Sequence, residues 1–293
     1  LDLKDIYKLF KFDCTRGYIL FFINKFIFFT DSRYTLAAKK FFSNNCEIYD
    51  LSETTFVDYL IMQNKKLSGI LDSKVISVKE FKEINSKLEK NKIKIYPQFK
   101  NYFKKNYYPN FNISYPLSMP TYLIPRPFNI NLKRIKNNIK TEGILIWNNA
   151  HVAYLLNIRS FELWNSTKPF SGLFISKKNI KPVLITNNLN LKKIYKINNS
   201  FKIFREEKFI KFLKFLKLKN IETSFEFLNL NMYLRLSKFL NLSETKINVP
   251  KYLGIKTSKE IKNIETCHIE DGLAVLKFII DLKIRKITPK NEY

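Results

Sequence analysis

Three cysteines, two histidines, two tryptophans and six glycines are all that 293 residues contain of those four types. Cys14, Cys46 and Cys267 lie far apart and form no CxxC pair. That excludes a disulfide framework and leaves no ligand spacing for a structural zinc. Such cysteine usage fits a reducing compartment, so a cytoplasmic location is expected. No apolar run reaches membrane-spanning length. The longest, 18–29, is interrupted by Asn24 and Lys25, whereas a transmembrane helix needs about 20 apolar residues. No signal peptide is visible, and the chain starts at Leu1 instead of Met, which fits a fragment.

Acidic residues are also scarce, 25 Asp and Glu against 52 Lys and Arg, for a net charge of +27. Charge of this size points to nucleic acid or an anionic membrane surface. The lysines are spread along the whole chain, however, and keep company with Asn, Ile, Phe and Tyr. That is the vocabulary of AT-rich codons, and drift then supplies lysines that need no partner. No RNP aromatic pair, helix-turn-helix signal or zinc spacing accompanies the charge, so neither a specific nucleic acid nor a membrane is expected as partner. The basic amphipathic stretch 204–218, with Lys208, Lys211, Lys214 and Lys217 beside Phe209, Phe212, Leu213 and Leu216, reads as a surface helix of an α/β layer with solvated lysines. The competing reading is a helix lying on an anionic membrane.

Hydrophobic residues make up 45% of the chain, enough for one large core or two ordinary ones. Six of the ten prolines, Pro97, Pro109, Pro116, Pro120, Pro125 and Pro127, crowd into one stretch. It reads as an extended connector. The two sides of that connector look alike. Segments 17–22 and 26–29 read as strand, turn and strand, and so do 172–176 and 182–186. Segment 68–72 precedes a helical pattern at 78–88, and 221–226 precedes one at 230–240. Each half closes on a short extended segment, 92–97 and 246–250. The order of elements repeats at a spacing of about 150 residues, too long for a solenoid, and predicts two copies of one α/β unit.

A third unit starts with Thr257-Ser258-Lys259-Glu260, which has the form of a capping box. A helix is predicted to run from there to about residue 282. Its stripe is Ile261, Ile264, His268, Asp271, Val275, Ile279 and Leu282. A face this long needs something to bury it: either the second unit or a partner domain beyond the chain.

Residues 12–18 (FDCTRGY), two strands and 29–34 (FTDSRY) resemble the aminopeptidase P pattern. There a G-F-x-G-S-x-G segment leads through a hairpin into W-T-D-G-R-Y and a helix. Residues 153–159 (AYLLNIR) resemble its second-domain signature A-W-L-L-N-L-R-G. Residues 260–274 are similar to the opening helix of its catalytic domain, E-x-x-x-M-R-x-A-H-x-x-D-G-x-A. Cys14, Arg16, Ser32 and Ser160 depart from the small residues usual at their places, and the usual first strand and helix before the hairpin are missing.

The resemblance implies an α/β chain of two tandem creatinase/prolidase N-terminal-type domains, mixed sheets flanked by helices. Their expected bounds are 1–115 and 116–252, with 253–293 opening a truncated catalytic domain of the pita-bread fold. It implies the non-catalytic N-terminal part of an Xaa-Pro aminopeptidase, a homodimer acting on peptides with proline second. Two divalent metal ions, manganese by the resemblance, would be held by two Asp, one His and two Glu. None of these ligands is located here, and His151 and His268 match none of them. No catalytic residue and no metal are therefore expected on this chain. Arg33 matches an arginine that reaches the peptide; it serves either as a substrate contact or as a salt-bridge partner of Asp31 or Asp50. Asp31 and Tyr34 belong to the same motif. Asn157 and Arg159 are expected to tie down a loop, with Glu162 as the nearest partner. His268 and Asp271 are either a metal or catalytic pair or a polar contact between domains. His151 is expected to be exposed or near a helix cap. A non-enzymatic binding module and a decaying stand-alone remnant are the alternatives to the peptidase reading.

Overall fold

The computed structural model describes residues 6, 10–42, 46–98, 117–119, 124, 126–160, 166–186 and 201–285. Glu162, Pro109, Pro116, Pro120 and Pro125 fall outside them.

The first half opens on the hairpin β1 (Gly17–Phe21) and β2 (Phe26–Thr30), paired antiparallel from Gly17·Thr30 to Phe21·Phe26. Helix α1 (Ser32–Phe42) leads to β3 (Cys46–Asp50), parallel to β2. Helix α2 (Phe56–Met62) starts on a full capping box: Thr55 accepts from the Asp58 amide while Asp58 accepts from the Thr55 amide. Then come β4 (Ser68–Asp72), α3 (Val78–Lys90) and β5 (Lys94–Gln98), with β4 and β5 parallel.

The second half follows a short β6 (Leu117–Ser118), which pairs with β8 (Ile158–Arg159). Helix α4 (Phe128–Lys136), strand β7 (Gly143–Ile146) and helix α5 (Asn149–Leu156) precede the hairpin β9 (Gly172–Ser176) and β10 (Val183–Ile185). Next are β11 (Lys202–Phe204), α6 (Glu206–Phe215), β12 (Asn220–Thr223), α7 (Leu230–Leu236) and β13 (Asn241–Glu244). Six strands form one mixed sheet in the order β11-β10-β9-β7-β12-β13. One face packs on α4 and α5 through Ile144, Ile146, Val152 and Leu155. The other packs on α6 and α7 through Leu145, Phe174, Phe209 and Met232.

The halves repeat one plan. The first-half order β3-β2-β1, then β4-β5, matches β11-β10-β9, then β12-β13, with the same pairing senses. The halves also join symmetrically. The Val78 amide donates to the Leu228 carbonyl at 3.0 Å, and the Leu230 amide to the Ile76 carbonyl at 2.9 Å. The Lys79 amide donates to Phe225 at 2.9 Å, and the Asn231 amide to Ser73 at 2.8 Å. A shift of 152 residues, from Ser77 to Asn229, turns each bond into its mate, so a pseudo-twofold axis passes through the Ser77·Asn229 bridge. Both residues cap the helix that follows: Ser77 accepts from the Glu80 amide and Asn229 from the Met232 amide.

Two expectations need correction. The second half does not close on an extended 246–250. Its last strand is β13, and Pro250 stands in the first turn of α8 (Val249–Gly254), where its fixed φ is helical and its missing N–H costs nothing. A helix before the first hairpin is not wholly missing either. Ile6 and Phe10 are helical, and Ile6 is fully buried beside Phe12, Ile19 and Phe28.

The last element, α9 (Ser258–Arg285), has the expected capping box: the Thr257 amide donates to Glu260 at 2.7 Å, and the Glu260 amide to Thr257 at 3.1 Å. Ile264, Leu273, Phe278 and Ile284 are among its exposed apolar residues, and Leu282 is half-buried. Among the described residues, no helix is long and apolar enough to cross a membrane.

Candidate functional site

The hairpin brings 12–17 alongside the end of β2, where the Thr30 hydroxyl donates to the Arg16 carbonyl at 2.7 Å. The chain then turns into α1. The Asp31 carboxylate accepts from the Arg33 amide at 3.1 Å, closing that turn. The Arg33 guanidinium folds back on the same carboxylate as a two-pronged fork, Nε to Oδ1 at 3.1 Å and Nη2 to Oδ2 at 2.7 Å. Nη2 also donates to the Thr15 hydroxyl at 3.2 Å, and the Tyr34 hydroxyl donates to that same oxygen at 3.2 Å. The guanidinium lies 5.4 Å from the centre of the Tyr34 ring.

Asp31 resolves an electrostatic conflict. A cation in the first turn of a helix opposes the helix dipole, and the carboxylate offsets it. The hydrogen bond from Arg33 holds the Asp31 carboxyl below its usual range, and the same bond raises Arg33. Asp50 is engaged elsewhere, by the amide and hydroxyl of Ser52. The Arg33 side chain is still 68% exposed, so it has an outer edge open to a carbonyl or carboxylate. Thr15 is the member of this group that sequence reasoning passed over. Its signal was its place in the 12–18 motif.

Asn157 ends α5 in the left-handed conformation, φ 54°, a geometry asparagine tolerates. Its side chain donates to the Arg126 carbonyl at 2.9 Å, and its carbonyl accepts from the Met119 amide at 3.1 Å. Arg159 donates to the Ala153 and Ile158 carbonyls, and burial lowers its pKa. Both residues tie chain to chain by main-chain acceptors. His268 and Asp271 lie exposed on α9, remote in the chain from Arg33, and among the described residues they join no metal-ligand group.

His151 is buried, 7% exposed, and not on the surface. It sits in the first turn of α5, where Asn148 caps its amide at 3.1 Å. Its ring meets Phe227 edge-on at 5.3 Å, and burial holds its pKa below the ordinary value, with Glu226 opposing. The chain leaves β7 for α5 on one face and the neighbouring parallel β12 for α7 on the other. Such a switch opens a crevice at the carboxyl ends of the strands. Here it measures about 410 Å³ and is lined by Trp147, Asn148, His151, Ser224, Glu226 and Lys246. A second cavity of about 350 Å³ lies on the pseudo-twofold junction between Lys74, Glu80, Trp147, Glu206 and Glu226. Burial raises the Glu206 pKa, against the pull of Arg235, whose Nη1 is 3.3 Å away. Among the described residues no three His, Cys, Asp or Glu side chains converge as metal ligands. The donor set of a two-metal centre is not assembled by them.

A solved structure shares this architecture. X-prolyl aminopeptidase from Caenorhabditis elegans, described as a cytosolic enzyme with a di-nuclear active site, superposes with a TM-score of 0.79 at 14% identity. The match takes in 95% of this chain and 48% of that one.

The chain has an aminopeptidase P-like fold.

It spans about half the length of that relative. Shorter matches of the same kind are the creatinase/prolidase N-terminal domain of an X-Pro dipeptidase from Streptococcus pyogenes and the prolidase from Pyrococcus horikoshii OT3. The first has a TM-score of 0.30 at 19% identity over 44% of this chain and 96% of that one. The second has a TM-score of 0.37 at 20% identity over 56% and 44%. No protein-family model and no curated protein matches the sequence. The aminopeptidase P-like fold therefore rests on three-dimensional likeness.

Proposed function

We propose that the chain is the N-terminal, non-catalytic part of a metal-dependent Xaa-Pro aminopeptidase. The observation that carries this reading is the extent of the match: nearly all of this chain against about half of the relative. In this reading 1–115 and 116–252 are the two tandem domains, and 253–293 opens the catalytic domain. α9 supports that division, because its apolar residues lack cover among the described residues. The full-length protein would act in the cytoplasm as a homodimer on peptides with proline in second position.

Two divalent ions, manganese by resemblance, supply water activation and carbonyl polarisation in such a centre. Their ligands belong to sequence beyond α9 in this proposal. What this chain brings is Arg33. Its inner edge is locked by Asp31 and Thr15. Its outer edge is free to donate to a peptide carbonyl or terminal carboxylate. Reading the transcript beyond Tyr293 tests the assignment. Two Asp, one His and two Glu in frame are expected at family order, and a stop codon in place of that domain overturns it. In the protein so completed, Arg33→Lys is expected to raise KM several-fold with kcat little changed, since lysine cannot reproduce the fork.

A further inference from the structure

The crevice between β7 and β12 holds a buried polar ring that the fold leaves without a bonding partner. His151 is 7% exposed. Its amide is capped by Asn148, but among the described residues its ring makes no hydrogen bond. The ring meets Phe227 edge-on, and both residues line the crevice. Burying a polar group without a partner costs free energy, so buried imidazoles ordinarily have one.

The walls around this ring are held in place. Trp147 lies against β9 where Gly172 has no side chain: a Cβ built there would stand 2.5 Å from the indole. That close seat fixes the indole as a wall of the crevice. The Glu226 side chain follows β12 and is exposed, and among the described residues its carboxylate makes no hydrogen bond or ion pair. Its charge reaches His151, where it opposes the effect of burial.

Charge selects the ligand. Two carboxylates, Glu226 and Glu244, line the crevice against one ammonium, Lys246. A chain of net charge +27 thus gathers negative charge here. Glu244 is partly engaged by the Phe225 amide at 2.8 Å, which leaves Glu226 as the open acceptor. The crevice is not built for an anion. The first-turn amides of α5, at Ala150 and His151, already donate to the Asn148 side chain. Burial keeps His151 neutral at about pH 7, and a neutral imidazole offers a lone pair to an N–H donor. A positively charged N–H donor suits both acceptors, and aromatic rings attract it as well.

We infer that the crevice binds a small organic ammonium ion. Its N–H groups donate to the His151 ring and the Glu226 carboxylate, while Trp147 and Phe227 cover its carbon chain. The volume of about 410 Å³ is that of a small-ligand pocket. The site shares no residue with the Arg33 group, so it stands or falls apart from the peptidase reading.

The probe is putrescine, titrated into the chain at low salt and followed by the imidazole proton resonances. The chain has two histidines, so the exposed His268 is an internal control in the same spectrum. The expected result is a saturable shift of the His151 resonances with His268 unmoved. An uncharged diol of the same length and inorganic phosphate should each bind at least tenfold more weakly. Glu226→Gln should weaken putrescine binding at least tenfold, and Lys246→Gln should tighten it severalfold. Both positions are exposed, and an unchanged amide spectrum reports an intact fold in each variant. The inference is overturned if putrescine leaves His151 unmoved or moves His268 in parallel. It is equally overturned if Glu226→Gln binds as the parent does, or if the diol or phosphate binds as tightly as the diamine.

Discussion

A Cβ built on Gly143 would stand 2.8 Å from the Phe174 ring and 3.0 Å from the Ile175 carbonyl oxygen. A ring can tilt, but the main chain of a central strand has nowhere to go. Gly143→Ala is expected to cost about 1–3 kcal/mol by overpacking, seen as a lower denaturant midpoint at unchanged slope. Arg33 behaves differently. Its pair with Asp31 is exposed and screened, so Arg33→Ala should leave the midpoint within error. His151 gives a pH signature. Its folded pKa is depressed, so on acidification the unfolded chain takes up the proton first. Its contribution is thus complete above the unfolded value of about 6.5 and is lost as pH falls below it. Stability of the His151→Gln variant should fall less steeply from about pH 7 to 5 than that of the parent, measured by urea titration at each pH. At this scale the sequence was informative about partners held within a few residues, such as Asp31 and Arg33. It marked His151 as exposed or near a helix cap; the cap is there, but the ring is buried, which depends on Phe227 and on a crevice between strands distant in the chain.

Elements were legible where local chemistry decides them. The β1–β2 and β9–β10 hairpins follow from apolar runs broken by short polar turns, and the caps at Thr55 and Thr257 from side chains that satisfy first-turn amides. The element at 249–254 was missed because proline reads as a strand or loop signal until Asn248 is seen capping the Lys251 amide at 2.9 Å. The paired caps at the pseudo-twofold axis make a further prediction. Ser77→Ala and Asn229→Ala should each cost about 0.5–2 kcal/mol, because each leaves a first-turn amide without its acceptor. Exchange at Glu80 and Met232 respectively should report the loss. The basic helix α6 buries Phe209 and Leu213 in the second-half core, which leaves no continuous apolar face for lipid. Vesicle sedimentation with anionic lipid at physiological salt is expected to leave the chain in the supernatant.

At the scale of the whole molecule, the repeat was readable from the order of elements. The way its halves join was not. Four main-chain hydrogen bonds between segments 152 residues apart leave no pattern in the sequence, since any non-proline residue can make them. The stripe on α9 is apolar in sequence apart from His268 and Asp271, and periodicity cannot say what covers it. The charge of +27 settled nothing about partners, because spread lysines carry no geometry. In the proposed reading, a duplicated α/β unit of aminopeptidase P-like fold leaves the hydrolytic chemistry to sequence beyond itself. Incubation of the purified chain with manganese and an Xaa-Pro tripeptide tests it most directly. No release of the first residue above the metal-only blank is expected, and chelator-sensitive release by this chain alone would overturn that reading.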